Sequence, residues 1–360
     1  MITVYIVDIL MHFQEENTMY RKFLALTLAA LMFCLVGCSK QEITSDLTEV
    51  SEPTESVPKV VYYVNPLTGV ENLTLEQSQN RPVAVMVNNI SVAQKVQTGL
   101  TKADIVYETE VEGGITRLMA VYQDIASVEK IGTVRSARYA YIDLAMGHSA
   151  IYVHHGQDNT YAAPHLKDTQ TFVLGTNNAG YREKNGLASE HTLYGFGDKI
   201  WNYFVNNKYN TKLTKATTWQ TFTDSETELT YTNVANTVNV PFSNSYKSVF
   251  KYDAESGKYI RYFKTTERKD YYTGESEYFK NVFVLITTIT DYSDGYHRKV
   301  ALTSGDGYYC VNGTYTPIKW SKGNASSSFV FTNEDGTPLT VNQGNSWVCI
   351  MGKQFAPSFE

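Results

Sequence analysis

The sequence predicts an α+β protein, with a mixed α/β N-terminal domain over residues 59–225 followed by a β-rich C-terminal domain over 240–356. Three observations lead there. Continuous apolar runs and helical patterns share the first half. Short alternating runs separated by Asp-Gly and Asn-Gly pairs fill the second, and the 27 tyrosines are densest after residue 245, a composition suited to half-buried strands. The roughly 300 residues after position 58 suit two domains of about 100–200 residues each.

In the first half, Pro82 to Asn88, Asp104 to Val111, Ile115 to Tyr122 and Ala150 to His155 read as strands. Ser136 is placed to cap a helix running to about Met146. Gly197 to Asn206 repeats Ile200, Trp201, Phe204 and Val205 at helical spacing. In the second half, strands are expected at Phe250 to Tyr252, Tyr259 to Phe263, Val282 to Ile289, Tyr308 to Val311, Ile318 to Trp320, Phe329 to Phe331 and Trp347 to Met351. Between them, Asp294-Gly295, Asp306-Gly307, Asn312-Gly313 and Asp335-Gly336 supply the positive φ angles that tight hairpins need.

The N-terminus is an address. Met19-Tyr20-Arg21-Lys22 is followed by an apolar run from Phe23 to about Leu35, and Leu35-Val36-Gly37-Cys38 ends it with a small residue before a cysteine. This is the layout of a lipoprotein signal, read here as residues 1–37 with translation starting at Met19, and Cys38 as the lipidated residue. The run is too short to span a bilayer, which takes about 20 apolar residues. Residues 38–58 then carry acidic residues, Ser, Thr and Pro but no aromatic residue, the composition of a disordered tether. These features place the protein on the extracytoplasmic face of the cell membrane, held there by lipid. A net charge of −6 argues against a nucleic-acid partner, which requires clustered cations.

With Cys34 in the leader and Cys38 lipidated, Cys310 and Cys349 remain, either as a disulfide or as two separate buried thiols.

The candidate site lies in the first half. Gly113-Gly114 reads as a two-residue hairpin turn that pairs Glu112 with Ile115 and Glu110 with Arg117. Alternation puts Glu108, Glu110 and Glu112 on one face and Tyr107, Thr109 and Val111 on the other, toward the core. Arg117 can neutralise part of that carboxylate row. Arg135 and Arg138, at an expected helix start, either clasp the glutamates or bind a phosphate, carboxylate or sulfate. Five histidines fall between 148 and 191. His154 and His155, being adjacent, point to opposite faces, and His191 follows Glu190 in a polar, glycine-containing stretch. No HExxH or similar spacing suggests a metal, and no cofactor fingerprint, G-x-S-x-G elbow or P-loop is present. The absence of such motifs weighs against an enzyme.

These residues together resemble the YerB-like bacterial lipoproteins. The likeness rests on Asn65-Pro66-Leu67-Thr68-Gly69, Arg81 to Asn89, Ala103 to Glu108, Glu112 to Arg117, Ile131 to Arg138 and the Glu190-His191 corner. It continues through Gly305 to Tyr309, Ile318-Lys319-Trp320 and Gly344 to Trp347. The resemblance implies a two-domain envelope lipoprotein and no established reaction.

Three functions are therefore expected to compete. The first is capture of an anionic small ligand or cell-wall polymer through Arg117, Arg135, Arg138, His155 and His191. The second is a cell-wall hydrolase or transferase using Glu110 or Glu112 with His191. The third is a scaffold for a membrane protein complex.

Overall fold

The computed structural model describes residues 61–214 and 218–360. The leader, Cys38 and the tether of residues 38–58 lie outside the described residues.

Eleven strands form one sheet. In chain order they are β1 (Val83–Asn88), β2 (Ile105–Glu110), β3 (Thr116–Tyr122), β4 (Ile151–His154), β5 (Thr171–Val173), β6 (Asn233–Val234), β7 (Asn281–Thr287), β8 (Ser304–Val311), β9 (Thr314–Ser321), β10 (Val330–Thr332) and β11 (Ser346–Gly352). Across the sheet they are ordered β6-β9-β8-β7-β11-β2-β3-β1-β4-β5, with β10 beside β9. The C-terminal strand β11 lies between β7 and the N-terminal strand β2, parallel to both. The two halves of the sequence are thus joined by backbone ladders.

Both faces of this sheet are covered, which is why its strands read as continuous apolar runs rather than alternating ones. In β1, Val83, Val85 and Val87 enter one core while Ala84 and Met86 enter the other. The first core is closed by the helix Gly197–Asn206, through Ile200 and Phe204, and by a second, six-stranded sheet that includes Thr237–Pro241, Lys247–Asp253 and Lys258–Phe263. The second core is closed by the helix Tyr139–Gly147, through Tyr141, Ile142, Leu144 and Ala145, together with Trp219, Phe329 and Phe331.

Strands β1, β2, β4, β5, β7 and β11 all point the same way, because β3 is antiparallel to both β1 and β2 while the remaining links are parallel. The sheet therefore has a carboxyl edge, where these strands end, and an amino edge, where they begin. In sheets of this kind, ligands are bound at the carboxyl edge.

Two expectations need correction, and one left open is decided. The Gly113-Gly114 connection is longer than two residues: Val111 N–H donates to Ile115 O (2.8 Å), Glu110 lies opposite Thr116, and Arg117 lies opposite Thr109. A single turn of 3₁₀ helix, Glu112–Gly114, spans the gap, with both glycines at positive φ. The helix starts at Tyr139 rather than after Ser136. The amides of Val134, Arg135 and Ala137 donate to Leu193 O, Met86 O and Gly156 O, so this segment is committed to neighbouring chain and stays extended. Finally, Cys310 and Cys349 are free buried thiols. They sit on β8 and β11, opposite Val282 and Val284 of the intervening β7. Two strand spacings amount to about 9–10 Å, beyond the reach of a disulfide.

Candidate functional site at the carboxyl edge

The three glutamates of β2 and its turn have separate partners. Glu108 is fully buried between the two sheets and accepts from Asn89 Nδ2 (3.0 Å), Thr116 Oγ1 (2.8 Å), Tyr246 OH (3.1 Å), Ser248 Oγ (2.8 Å) and Trp347 Nε1 (3.1 Å). Nearby, the buried Arg261 donates to Glu277 (2.9 Å), Gln97 (3.1 Å) and Asn89 (2.8 Å). This network has no open face and belongs to the fold. The glutamate face, expected to lie opposite the core, is interior at Glu108, because the second sheet covers it there.

Glu112 stands just past the carboxyl end of β2 between two guanidiniums, Arg117 (3.1 Å) and Arg138, whose Nε is 2.9 Å away. Burial alone would raise its carboxyl pKa, but the Arg138 hydrogen bond and the charges of Arg117 and Arg138 outweigh that and hold it at about 2. Arg117 is itself buried and also donates to Ser136 O (2.6 Å). Burial and the neighbouring Arg138 charge lower its pKa to about 10, with Glu112 offsetting part of the effect. Arg135 lies apart, with Nη1 on Glu190 O (3.2 Å) and 3.6 Å from the Glu190 carboxylate.

His191 is buried, its Nδ1 on Asn88 Nδ2 (2.8 Å) and its Nε2 on Glu190 (3.2 Å). Its pKa is lowered chiefly by burial. Neither Glu110 nor Glu112 is among its partners, so the expected Glu/His acid–base pair does not form. His155 bonds Leu174 O (2.7 Å) and Arg182 Nη2 (3.1 Å), while His154 is fully buried on Gly156 O and Thr171. The expected ligand-binding set is therefore a clasp. Arg117 and Arg138 share Glu112, Arg135 takes Glu190, and the two histidines are tied into the loops beside them.

The open part of this edge involves residues that sequence reasoning did not single out. A hairpin formed by Ile289–Asp291 and Arg298–Val300 follows directly on β7. It brings Arg298 Nε to 3.0 Å from Glu110 and His297 Nε2 to 3.5 Å from Asp158. It also stacks Tyr292 on Tyr161, with ring centroids 3.9 Å apart. Tyr139 lies 6.3 Å from Tyr292 and stacks on His165. Together these groups line a cleft with Glu110, Glu112, Arg138, Asp158 and His297. The cleft has ≈ 330 Å³ of unfilled space, part of it open to solvent, and is a narrow slot. Burial raises the Glu110 pKa against the opposing charge of Arg298, and burial raises Tyr292 to about 12. A larger hollow of ≈ 1230 Å³ lies at the amino edge; of the three lysines on its wall, Lys102 and Lys280 are paired with Glu275 and Glu228, and Lys258 makes no ion pair among the described residues. The slot is the better candidate because its aromatic and charged groups converge.

Residues 67–210 match the N-terminal domain, and residues 238–348 the C-terminal domain, of a protein family of unknown function, DUF3048. The chain belongs to the DUF3048 family. It is 27% identical over 337 residues to YerB of Bacillus subtilis, a protein designated a lipoprotein, covering 90% of this chain and 93% of that one. A crystal structure of the YerB protein from Bacillus subtilis superposes with a TM-score of 0.69 at 28% identity, covering 82% of this chain and 98% of that chain. Likeness to a designated lipoprotein supports membrane association of this chain, whose biochemical role is unassigned. Within the DUF3048 frame the slot is composite. Glu110, Glu112, Arg138, Tyr139, Asp158 and Tyr161 come from the N-terminal segment, and Tyr292, His297 and Arg298 from the C-terminal one. The Asp294-Gly295 turn was a legible signal for the hairpin. Nothing local in sequence says that it meets Glu110, 188 residues away. Among the described residues, no group of three or more His, Cys, Asp or Glu is placed to hold a metal ion.

Proposed function

We propose that this protein is a lipid-anchored binding protein of the extracytoplasmic membrane face that takes a saccharide portion of the cell wall at the carboxyl-edge slot. The observation that carries the reading is the convergence of three tyrosine rings, Tyr139, Tyr161 and Tyr292, with Glu110, Asp158, His297 and Arg298. Flat rings complement the C–H faces of a sugar, while carboxylates accept and guanidinium or imidazole groups donate to its hydroxyls. The anionic alternative has less support, because Arg117, Arg135 and Arg138 each already face a carboxylate. A slot this narrow accepts a ligand edge-on or after outward movement of the 289–300 hairpin.

Calorimetric titration of the full protein in detergent with soluble glycan fragments of peptidoglycan, and separately with teichoic acid fragments, tests this. Glycan binding that weakens about tenfold or more in Tyr292→Ala, a loss of roughly 1.4 kcal/mol, and is unchanged in Arg135→Ala is expected. Binding of teichoic fragments alone, lost in Arg135→Ala, would replace it with the anionic reading.

One observation favours a second reading, hydrolysis. Glu110 and Glu112 line the same slot with pKa values displaced in opposite directions, the pattern of an acid and base pair. Release of reducing ends from purified cell wall, abolished by Glu110→Gln, is the expected sign, and no release by the unaltered protein would dismiss it.

A further inference from the structure

The described chain begins with four consecutive exposed apolar residues. Val61, Tyr62, Tyr63 and Val64 are 65%, 54%, 38% and 45% exposed. A run of this kind on a soluble surface is unfavourable unless something covers it. Its position in the fold is defined. Tyr63–Val64 pairs with Glu71–Leu73, and the next residue, Asn65, donates to Asp104 (2.8 Å) immediately before β2. The run therefore lies at the amino edge of the sheet, across the length of the strands from the slot. A six-residue strand separates the two by about 20 Å.

We infer that Val61 to Val64 is a membrane-contacting patch, and that its occupant is the interfacial layer of the bilayer carrying the anchor. Three observations support this occupant. Val61 is only 23 positions after Cys38 in the sequence, a distance of at most about 80 Å when fully extended and about 25–30 Å on average for a flexible chain. Such a tether gives an effective concentration of order millimolar, so even a weak contact is populated. Tyrosine with valine is suited to the interface, where an amphipathic ring keeps its hydroxyl among headgroups. Charge is the smaller part of the contact: on the adjoining wall Lys102 and Lys280 are paired with Glu275 and Glu228, which leaves Lys258 as the one wall lysine without an ion pair among the described residues. The contact accordingly forms without anionic lipid and depends on its fraction only weakly. In this orientation the amino edge rests on the membrane and the slot faces outward. The inference rests on a lipid anchor at Cys38 and is independent of what the slot binds.

The test uses the full lipidated protein in phosphatidylcholine vesicles, with an environment-sensitive fluorophore on Tyr62→Cys or, as control, on Tyr296→Cys of the hairpin. Cys310 and Cys349 are fully buried and stay unlabelled. Vesicles doped with nitroxide lipid should quench most of the emission at position 62 and none at 296. Val61→Ser combined with Val64→Ser should relieve that quenching, and replacing half the lipid with phosphatidylglycerol should change it less than about fivefold, as one lysine allows. Equal quenching at both positions, or none at 62, overturns the inference. So does shielded emission at 62 without quenching, which would mean that the tether or a second copy covers the patch. Quenching confined to phosphatidylglycerol vesicles overturns the apolar basis of the contact.

Discussion

Asp104 and Glu112 stand at opposite ends of β2 and are perturbed in opposite directions. At the amino edge, burial pushes the Asp104 carboxyl up to about 6, and its two hydrogen bonds, from Gln123 N–H (2.6 Å) and Asn65 (2.8 Å), only partly compensate. At the carboxyl edge Glu112 is also buried, yet two guanidiniums bring it down to about 2. Glu108, between them, is satisfied entirely by neutral donors and the indole of Trp347. Desolvation acts on both Asp104 and Glu112, and the partners available at each end of the strand decide the outcome. The arginines Arg117, Arg138 and Arg298 stand at the carboxyl edge, which is where the slot opens.

The middle carboxylate offers the largest effect. Glu108→Ala leaves five buried donors with one acceptor gone, and a loss of about 3–5 kcal/mol in urea unfolding is expected. Arg261→Met, which strands Glu277, should cost a similar amount, and the double variant Arg261→Met/Glu277→Leu should recover much of it. Full additivity of the two single losses would contradict a coupled network.

Glu112→Gln should cost about 2–3 kcal/mol near neutral pH, because Arg117 and Arg138 lose their shared charge partner. The folded carboxyl lies below its ordinary value of 4.5. Its contribution is therefore complete above that value and is lost as pH falls from about 4.5 toward about 2. The variant should lack this limb of the stability profile, and retention of the limb would mean that the clasp is not its source.

Asp104 has the opposite sign. Its folded value of about 6 lies above the ordinary 3.8, so the folded state holds a proton that the unfolded chain has released. Stability attributable to it is fully present below about 3.8 and is lost as pH rises through about 6. Asp104→Asn should flatten the profile between those values and gain about 1 kcal/mol at pH 7. A variant that loses stability there would show that the carboxylate charge is better accommodated than its neutral surroundings imply.

The smallest effect sharpens the contrast between fold and site. Tyr139 is an exposed residue of the slot, and Tyr139→Ala should change unfolding by less than about 0.5 kcal/mol while weakening glycan binding. A large stability loss would place the tyrosine shelf with the core instead.

Much of the secondary structure was legible because its causes are local. Val83 to Val87 is apolar throughout, as a strand buried on both faces must be. The helix Gly197–Asn206 announces itself by Ile200 and Phe204 at helical spacing. Asn312-Gly313 takes positive φ at both positions between β8 and β9, as its residue types suggest. Where distant segments compete for backbone, local reading stopped. Ser136 has the chemistry of a helix cap, but the amides around it are taken by Met86, Gly156 and Leu193. Arg135 and Arg138 therefore never share a helix face. The clasp alternative for the arginines was readable from charge alone; the identity of each partner was not.

By itself the sequence determined the α+β class, most of the strands and the likeness to YerB-like lipoproteins, because propensity, patterning and short motifs act over a few residues. Only the tertiary structure decided that β11 joins the two halves in one sheet and that Cys310 and Cys349 stay two strands apart. It also decided that Glu110 meets Arg298 while Glu108 meets Trp347, 239 residues away. The physical reason is that strand order and edge are settled by burying both faces of a sheet at once, a requirement on the whole chain that no local window contains.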